Sequence, residues 1–343
     1  MYFLLASLLI FLSVFELIDK VPHYKKVALF IGALSMILFA GLRYQVGTDW
    51  VAYFENYKLF YWNTEWGYKY LNLFFSKYLG ASFNVFLLFI NGVSLYLISK
   101  YIKQLSGCYL IALLIFYSDL FMYYNLSGMR QAIATSFTCF ALLFAVKKQI
   151  KLFLLFVIIA AFFHITALIF LFAYFIPRKT LNLKNIVFIF AGFVVVVFAY
   201  NNFVGSIDYL SKKTEYYTEI QENADNLPML FAVGLAKRSI ILIVFLLLYN
   251  QLKAIPNLPY FFNIYLIGFI IYSGLYLVSP DFGVRFSSYY TILDGILVGN
   301  IIYFVKSRTI KYSVLILFCA ISIYKVSVYA AEKSYEYKTI LTQ

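Results

Sequence analysis

Charged side chains are scarce in this chain. Of its 343 residues, 13% are Lys, Arg, Asp or Glu and 64% are hydrophobic, and the mean hydropathy is +0.84. Soluble domains carry about 25% charged residues, so this composition excludes a soluble globular protein. A membrane span needs about 20 apolar residues, and the apolar runs predict an all-α, polytopic membrane bundle of about 10–12 transmembrane or re-entrant helices. We expect residues 1–343 to form one integral membrane domain.

Cysteine and histidine are scarce too. Cys108, Cys139 and Cys319 lie far apart, in or beside apolar runs, which excludes a disulfide framework. Because the only histidines are His23 and His164, and neither has a cysteine partner, we expect no metal site. The first 18 residues lack a basic start and a small-residue cleavage site, so we expect a retained span and not a signal peptide.

The net charge of +13 comes from short basic clusters between the apolar runs. This distribution follows the positive-inside rule, by which cytoplasmic loops are enriched in Lys and Arg. It lacks the basic face of a nucleic-acid binder, so nucleic acid is not expected as a partner. The predicted cytoplasmic loops hold most of the basic residues and one acid, Asp19. Two outer loops are then expected, over residues 43–82 and 204–229.

The apolar run Leu152–Ile176 decides this topology. It is long enough for one tilted crossing. One crossing, however, would place the basic residues that follow (Arg178, Lys179 and Lys184) outside. Two short helices that turn near His164 keep those residues inside, so we predict a hairpin over residues 152–176.

The first candidate site segment runs from Gly41 to Tyr53. Arg43 leaves the end of a span, and its planar guanidinium suits bidentate binding of a phosphate. Asp49 follows in the same loop and either orients Arg43 or acts as an acid or base; Tyr53 is a candidate substrate contact. An interfacial arginine with a helix-capping aspartate explains the same spacing equally well.

The second segment is Ser127–Ala134. Ser127 and Gly128 are typical of a helix N-terminus, which places Arg130 in the first turn and Gln131 beside it. A helix start concentrates free N–H groups and positive potential. An arginine there needs a negative group for compensation, which favours anion binding by Arg130 and Gln131 over a simple interfacial anchor.

His164 lies midway in an apolar run, where an unsatisfied imidazole is costly. Its ordinary pKa near neutrality suits a general base that deprotonates a sugar hydroxyl. From residue chemistry alone, catalysis and a packing role are equally supported.

The second half of the chain adds two arginines. Ser279–Arg285 is interpreted as a tight loop entering a span, with Arg285 as an anion contact and Asp281 as its partner or as a cap. Arg238, next to Lys237, is assigned to another span start as a further anion contact or an interfacial anchor.

Several arginines with one histidine favour a cradle for a diphosphate over a proton or cation pathway. Electrostatic stabilisation of a departing diphosphate, with a positioned base for the acceptor, suffices for glycosyl transfer. Phosphate-loop, dinucleotide-binding, zinc-protease and serine-hydrolase motifs do not accompany these residues.

The order of the motifs resembles the EpsG family of bacterial membrane proteins, which belong with the Wzy-type polysaccharide polymerases. The motifs are Gly41-Leu-Arg-Tyr44, Gly47-Thr-Asp49 followed by Tyr53, Glu65-Trp-Gly-Tyr68, Gly128-Met-Arg-Gln-Ala132 and Phe163-His-Ile-Thr-Ala167. They cover the first half of the chain, and the second half is similar in hydropathy and in Arg285.

The resemblance implies a GT-C-like glycosyltransferase on the outer face of the bacterial cytoplasmic membrane. Such polymerases transfer a growing glycan from undecaprenyl diphosphate to a fresh lipid-linked repeat unit, without a nucleotide sugar, a metal or another cofactor. Arg43, Arg130 and His164 fall on motif residues. A flippase and a chain-length regulator are the partners to expect, as for O-antigen, capsule and exopolysaccharide polymerases.

Three other functions stay open. An O-antigen-type ligase uses the same arginine and histidine chemistry. A glycosyltransferase that takes a polyprenyl-phosphate sugar is expected to rely on an acid such as Asp49. A lipid-linked oligosaccharide flippase or transporter needs charges along a central cavity and internal repeats, and the sequence has no such repeats.

Overall fold

The structure, a computed structural model, describes residues 1–18, 22–60, 64–179, 227–253, 255–276 and 279–342, with positions 187 and 191 besides. Most of these residues are helical, and no β-strand occurs among them. Five of the described helices are long and apolar enough to cross a membrane: His23–Gly41, Phe83–Leu105, Met129–Val146, Leu258–Leu275 and Arg308–Ala331. The predicted all-α, polytopic membrane fold is confirmed.

The α-helices are α1 Tyr2–Ile18, α2 Pro22–Gly41, α3 Trp50–Leu59, α4 Trp66–Leu73, α5 Phe83–Leu105, α6 Tyr109–Phe116, α7 Met129–Val146, α8 Ile150–Phe163, α9 Leu227–Leu247, α10 Tyr249–Leu252, α11 Leu258–Leu275, α12 Pro280–Thr291, α13 Asp294–Phe304 and α14 Arg308–Ala331. Two π-helical segments continue α4 and α6 (Phe74–Tyr78 and Tyr117–Asn125), and 3-10 helices cover Ile165–Phe175, Lys333–Tyr335 and Ile340–Thr342.

The chain forms two compact units. The first combines Met1–Tyr174 with Val298–Gln343, and the second is Phe175–Leu297. The predicted outer loop 204–229 lies outside the described residues except at its end, where α9 begins. The following paragraphs concern the first unit.

A buried polar network joins α5, α7 and the π-helical segment within the first unit. Asn125 Nδ2 donates to Asn91 Oδ1 at 2.9 Å and to Ser94 Oγ at 3.2 Å. Ser94 Oγ also lies 2.6 Å from Ser136 Oγ on α7. Small polar residues let helices approach closely in a membrane and satisfy one another there, so this network fixes the register of the three segments.

At one end of this unit, Glu16 of α1 closes the start of α6. Its two carboxylate oxygens accept the N–H groups of Tyr109 (2.7 Å) and Leu110 (2.8 Å). Lys25 Nζ lies 3.8 Å from the same carboxylate. The first N–H groups of a helix have no partner within the helix, so Glu16 satisfies two of them and anchors α1 to α6.

Two helical arms meet at His164 in the range 152–176, for which a hairpin was predicted. The arm α8 ends at Phe163, His164 is extended, and a 3-10 helix follows over Ile165–Phe175. The Tyr174 hydroxyl donates to the carbonyl oxygen of Lys148 at 3.0 Å, so the chain has returned to the level where α8 began. Fourteen α-helical residues rise about 21 Å, less than a full membrane crossing of about 30 Å.

Residues 43–82, interpreted from the sequence as an outer loop, contain α3 and α4. Both helices are too short to cross a membrane. They are held by an aromatic core whose members include Trp50, Tyr57, Tyr68, Phe83 and Phe86. Rings of α3 pack directly on α5, as in the 5.3 Å contact of Tyr57 with Phe83. The segment is therefore a packed part of the unit.

The tail that follows α14 returns to the loop after α2. Backbone hydrogen bonds join Tyr44 N–H to the Lys338 oxygen (2.9 Å) and Gly47 N–H to the Ser334 oxygen (2.8 Å). Arg43 and Thr339 form an isolated antiparallel bridge. This tail, residues 332–342, covers the loop that carries Arg43.

Candidate functional site

Side chains from three separate elements meet at Glu65, the residue just before α4. Arg130 Nη1, from the first turn of α7, lies 2.6 Å from Glu65 Oε2. His164 Nδ1, between the two helical arms, lies 3.0 Å from Glu65 Oε1. Each carboxylate oxygen therefore has a different partner. Glu65, Arg130, His164 and the adjoining Tyr53 are called the Glu65 cluster below.

A close approach of α4 to α8 brings Glu65 to His164. A Cβ atom added to Gly67 would lie 2.7 Å from the carbonyl oxygen of Phe162, the penultimate residue of α8. Only glycine permits this backbone contact without a shift of one helix. The end of α8 is also held to α7, since the rings of Phe137 and Phe163 stack at 5.7 Å. The spacing in Glu65-Trp-Gly-Tyr68 thus has a structural reason.

The predicted helix start before Arg130 is confirmed, since α7 begins at Met129 with Gly128 at the N-cap. Glu65 supplies the negative charge that an arginine in the first turn of a helix requires. Arg130 Nε also donates to the Tyr53 hydroxyl at 3.3 Å. Gln131 is buried on the same helix. The structure therefore brings Arg130, His164 and Tyr53 together.

Asp49 lies at the start of α3, beside the loop that precedes α7. Its N–H donates to Ser127 Oγ at 3.2 Å, and its carboxylate accepts from Thr48 Oγ1 at 3.2 Å. Asp49 occupies the N-cap position of α3, as the capping alternative expects, but its side chain makes no capping hydrogen bond to that helix. Among the described ion pairs, none joins Asp49 to Arg43.

Gly47 lets this loop approach α7 closely. It has a φ of 99°, and a Cβ atom there would lie 2.0 Å from the carbonyl oxygen of Leu126. Both features require glycine. The α3 loop is consequently docked on the α6–α7 loop, which places Asp49 and Tyr53 on the Arg130 side of the unit.

The Glu65 carboxylate is ionised at every physiological pH. Burial alone raises its pKa, but the hydrogen bond to His164 and the charge of Arg130 outweigh burial and lower the pKa from 4.5 to about 2. An ionised carboxylate only accepts hydrogen bonds. His164 lies at the C-terminal end of α8, where the helix dipole stabilises a cation. The site is thus suited to an imidazolium formed when His164 takes a proton.

Arg43 lies apart from the Glu65 cluster and is fully buried. Its Nε donates to the Val46 oxygen at 3.3 Å, its Nη1 donates to the Ala40 oxygen, and its Nη2 has no hydrogen-bond partner among the described residues. Burial lowers the pKa of Arg43 to about 10. Both Arg43 and Arg130 lie within electrostatic range of Tyr68, so the two arginines are near the same end of the unit.

The second unit holds Arg238 and Arg285, whose surroundings correct two expectations. Arg238 lies in the middle of α9 and not at a span start, with its guanidinium carbon 3.7 Å from the Tyr272 ring centre. Residues 280–291 are already α-helical, so the predicted tight loop at Ser279–Arg285 is wrong. The expected pair does form, with Arg285 Nε 2.7 Å from Asp281 Oδ1.

Lys237, the neighbour of Arg238, is paired as well. Its Nζ lies 2.9 Å from Asp294 Oδ2, and both side chains are largely buried. An interfacial anchor would extend its ammonium group into the headgroup region. The side chain of Lys237 instead satisfies a carboxylate within the second unit.

Glu65 is the residue that reasoning from sequence did not select. Glu65 belongs to the motif Glu65-Trp-Gly-Tyr68, but the sequence alone assigned it no role. The available signal was the arginine in the first turn of α7, which demanded a negative partner. Among the described residues, no group of three or more His, Cys, Asp and Glu side chains is placed to hold a metal ion.

The family model of the EpsG family matches residues 26–339. The chain belongs to the EpsG family. Its members are membrane proteins similar to Wzy-type polysaccharide polymerases. No curated protein and no solved structure matches the chain significantly. The family match extends through α14 into the tail, so the EpsG assignment covers far more than the motifs of the first half.

Proposed function

We propose that this EpsG-family protein is a glycosyltransferase that polymerises undecaprenyl-diphosphate-linked repeat units on the outer face of the bacterial cytoplasmic membrane. The observation that carries the proposal is the meeting of Arg130 and His164 at Glu65. An arginine suits a diphosphate, and a histidine suits a hydroxyl proton. The reaction class follows the polymerase-like character of the family.

In the proposed reaction, the bond between the anomeric carbon of the donor glycan and its diphosphate oxygen breaks. The acceptor hydroxyl oxygen forms a new bond to the same carbon. His164 takes the hydroxyl proton as general base, and undecaprenyl diphosphate leaves with the bonding electron pair. Arg130 stabilises the negative charge that develops on this leaving group.

The remaining candidate residues have secondary roles. Tyr53, which accepts a hydrogen bond from Arg130, and Gln131, which follows Arg130 on α7, are proposed substrate contacts. Asp49 is the alternative acid or base if His164 does not have that role. Arg43, Arg238 and Arg285 are proposed as further diphosphate contacts, of which Arg43 retains an unpaired Nη2 among the described residues.

The proposed partners are the lipid-linked donor and acceptor glycans, membrane lipids, a flippase that delivers repeat units and a chain-length regulator. We propose that neither a metal nor a nucleotide sugar takes part. A ligase that transfers finished glycan to another acceptor would use the same three side chains, and the choice of acceptor separates the two reactions.

The test uses the purified full-length protein with a synthetic lipid-linked repeat unit. A general base contributes about 10²–10⁴-fold in rate, so His164→Gln should lower turnover by that factor while the lipid-linked substrate still binds. His23→Gln changes the chain's other histidine and is the matched control. Near wild-type turnover in His164→Gln would contradict the assignment. Asp49→Asn, measured in the same series, would then identify Asp49 as the base.

A further inference from the structure

Glu65 binds two side chains that the proposed reaction uses for different tasks. Its Oε1 faces His164 and its Oε2 faces Arg130. We propose that Glu65 is the positioning residue of the site. It sets the tautomer of His164, and it holds Arg130 until a bound diphosphate replaces Glu65 as the partner of Arg130. This inference rests on the proposed function.

The tautomer follows from the ionised state of Glu65. Because its pKa is about 2, its oxygen accepts and cannot donate. The proton in the 3.0 Å contact therefore belongs to His164 Nδ1. In the neutral ring, the lone pair is then on Nε2, which is the nitrogen that can take the acceptor proton. Glu65 also stabilises the imidazolium that results, as the aspartate of a serine-protease triad does.

The second task concerns Arg130. A guanidinium paired with a carboxylate at 2.6 Å is held in one orientation before substrate arrives. A diphosphate carries more negative charge than a carboxylate and matches the same planar donor geometry. Arg130 exchanges its partner when the diphosphate binds. Glu65 keeps His164 through its other oxygen, so substrate binding does not disturb the base.

The substitution Glu65→Gln separates these two tasks. Its amide can present an oxygen to Arg130 and an N–H to His164 Nδ1, which moves the ring proton to Nε2 and removes the base. We expect kcat to fall about 10²–10⁴-fold, as for His164→Gln. KM for the lipid-linked repeat should stay equal or fall, since Arg130 no longer has a competing carboxylate. A merely structural role would instead raise KM and lower thermal stability.

The decisive readout is nitrogen NMR of protein labelled at histidine. The chain has two histidines, so a His23→Gln background leaves His164 as the only signal. We expect the Nδ1–H form in wild type and the Nε2–H form in Glu65→Gln. Glu65→Asp should keep the Nδ1–H form, with a smaller loss of turnover. If Glu65→Gln does not fold, Glu65→Asp is the variant used for the test. The same change at exposed Glu55, Glu55→Gln, is the control.

The same tautomer in wild type and Glu65→Gln overturns the positioning role. Full turnover in Glu65→Gln does so as well. A failure of the proposed function looks different: His164→Gln would then retain turnover, while the NMR form of His164 would still respond to Glu65.

A separate observation concerns a groove between α2 and α5 in the first unit, with a volume of about 230 Å³. Its described lining includes Lys26 and Phe30 from α2, and Gly92, Tyr96, Lys100 and Lys103 from α5. The three lysines lie at one end, and the lining contains no acid. We infer that this α2–α5 groove binds one anionic phospholipid, with an acyl chain along the apolar wall and the phosphate at the lysines.

Gly92 borders open space in the groove, because a Cβ atom built there would meet nothing within 4 Å, so a larger side chain would extend into the groove. The apolar wall is open to lipid, since Phe30 and Tyr96 are exposed. Lys100 Nζ lies 5.2 Å from the Tyr96 ring centre, which holds its ammonium group at the mouth. Basic pockets between membrane helices attract anionic headgroups. The groove is therefore expected to select anionic over zwitterionic phospholipids by the charge of the headgroup.

Native mass spectrometry of the full-length protein tests this site with equal amounts of phosphatidylglycerol and phosphatidylcholine. We expect wild type to retain phosphatidylglycerol selectively. Lys26→Gln, Lys100→Gln and Lys103→Gln should weaken that selectivity about fivefold each. Gly92→Leu should reduce retention of both lipids. The control combines Lys147→Gln, Lys148→Gln and Lys151→Gln, which lie outside the groove; an equal loss in this control, or no selectivity in wild type, overturns the site.

Discussion

Arg130 and Arg43 lie near the same end of the first unit, yet their surroundings differ. Arg130 is partly exposed, with 26% of its side chain accessible, and it faces the Glu65 carboxylate and the Tyr53 hydroxyl. Arg43 has no exposed surface and donates to the backbone oxygens of Ala40 and Val46. One guanidinium is paired with side chains that substrate can replace, and the other is enclosed by the chain itself.

This difference separates two uses of an arginine at a membrane interface. A carboxylate partner on an accessible guanidinium can be exchanged for a phosphate, since both bind in the same planar geometry. The backbone oxygens of Ala40, in α2, and Val46, in the loop that follows, cannot leave without unfolding that segment. We therefore expect Arg130 to act mainly in turnover and Arg43 mainly in stability, with any anion contact of Arg43 requiring movement of the tail.

Among the variants that test this comparison, Arg130→Lys should have the largest effect. Lysine keeps the charge but loses the planar fork that binds Glu65 and a diphosphate. Loss of one oriented donor to a developing negative charge typically lowers kcat about 10²–10³-fold. Turnover of purified protein on a lipid-linked repeat measures this, with exposed Arg308→Lys as control. Full-length polymer from Arg130→Lys would show that this arginine is only an interfacial anchor.

Gly67→Ala should have the next largest effect. The added methyl group meets the Phe162 backbone, so α4 must move away from α8 and Glu65 away from His164. A misplacement of about 1 Å can lower turnover about 10²-fold. Gly80→Ala is the contrasting control, since a Cβ there meets nothing within 4 Å, although its φ of 58° adds backbone strain. Equal activity of wild type and Gly67→Ala would contradict the close-approach explanation.

Arg43→Lys should mainly lower stability. A lysine cannot reach both the Ala40 and Val46 oxygens, and leaving a buried polar group unsatisfied costs about 1–3 kcal/mol. Thermal denaturation in detergent should show a lower midpoint, with a smaller loss of turnover per folded molecule than in Arg130→Lys. The reverse ranking of the two lysine variants would break the comparison between these arginines.

The smallest expected effect is on the thermal stability of the protein at acidic pH. The pKa of Glu65 is about 2 in the folded protein and 4.5 ordinarily, so its contribution to stability is complete above pH 4.5 and is lost as the pH falls towards 2. Arg43 stays charged throughout this range. The thermal midpoint should therefore decrease more steeply below pH 4.5 in wild type than in Glu65→Gln. Parallel curves would indicate that Glu65 is not held by Arg130 and His164.

Part of this site was predictable because the signals that begin a helix lie close together in the sequence. A helix start at Gly128 and an uncompensated arginine after it were enough to require a negative partner. The identity of that partner was not predictable, because Glu65 lies 65 residues from Arg130 in the chain. Their contact depends on how α4 packs against α8, which periodicity does not reveal.

The burial of Arg43 was not predictable from the sequence for a similar reason. An arginine at the end of a span is typical of an interfacial side chain. The groups near it include Tyr335 and Tyr337 of the tail, which tertiary contacts bring to the Arg43 loop. At Ser279–Arg285 a usable local signal was overlooked, since proline at the first position of a helix favours a helix start. Asp281 and Arg285, four residues apart, are spaced as a pair on one helix face.

The return of the tail to the Arg43 loop has a consequence for biosynthesis. The Leu42 oxygen accepts a hydrogen bond from Thr339, which follows it by 297 residues. At a synthesis rate of about 5–20 residues per second, Leu42 is made about 15–60 s before Thr339. During that time the Arg43 loop lacks the tail residues that later cover it. A chain synthesised only to residue 331 therefore leaves the Arg43 loop without the backbone contacts that residues 332–342 make.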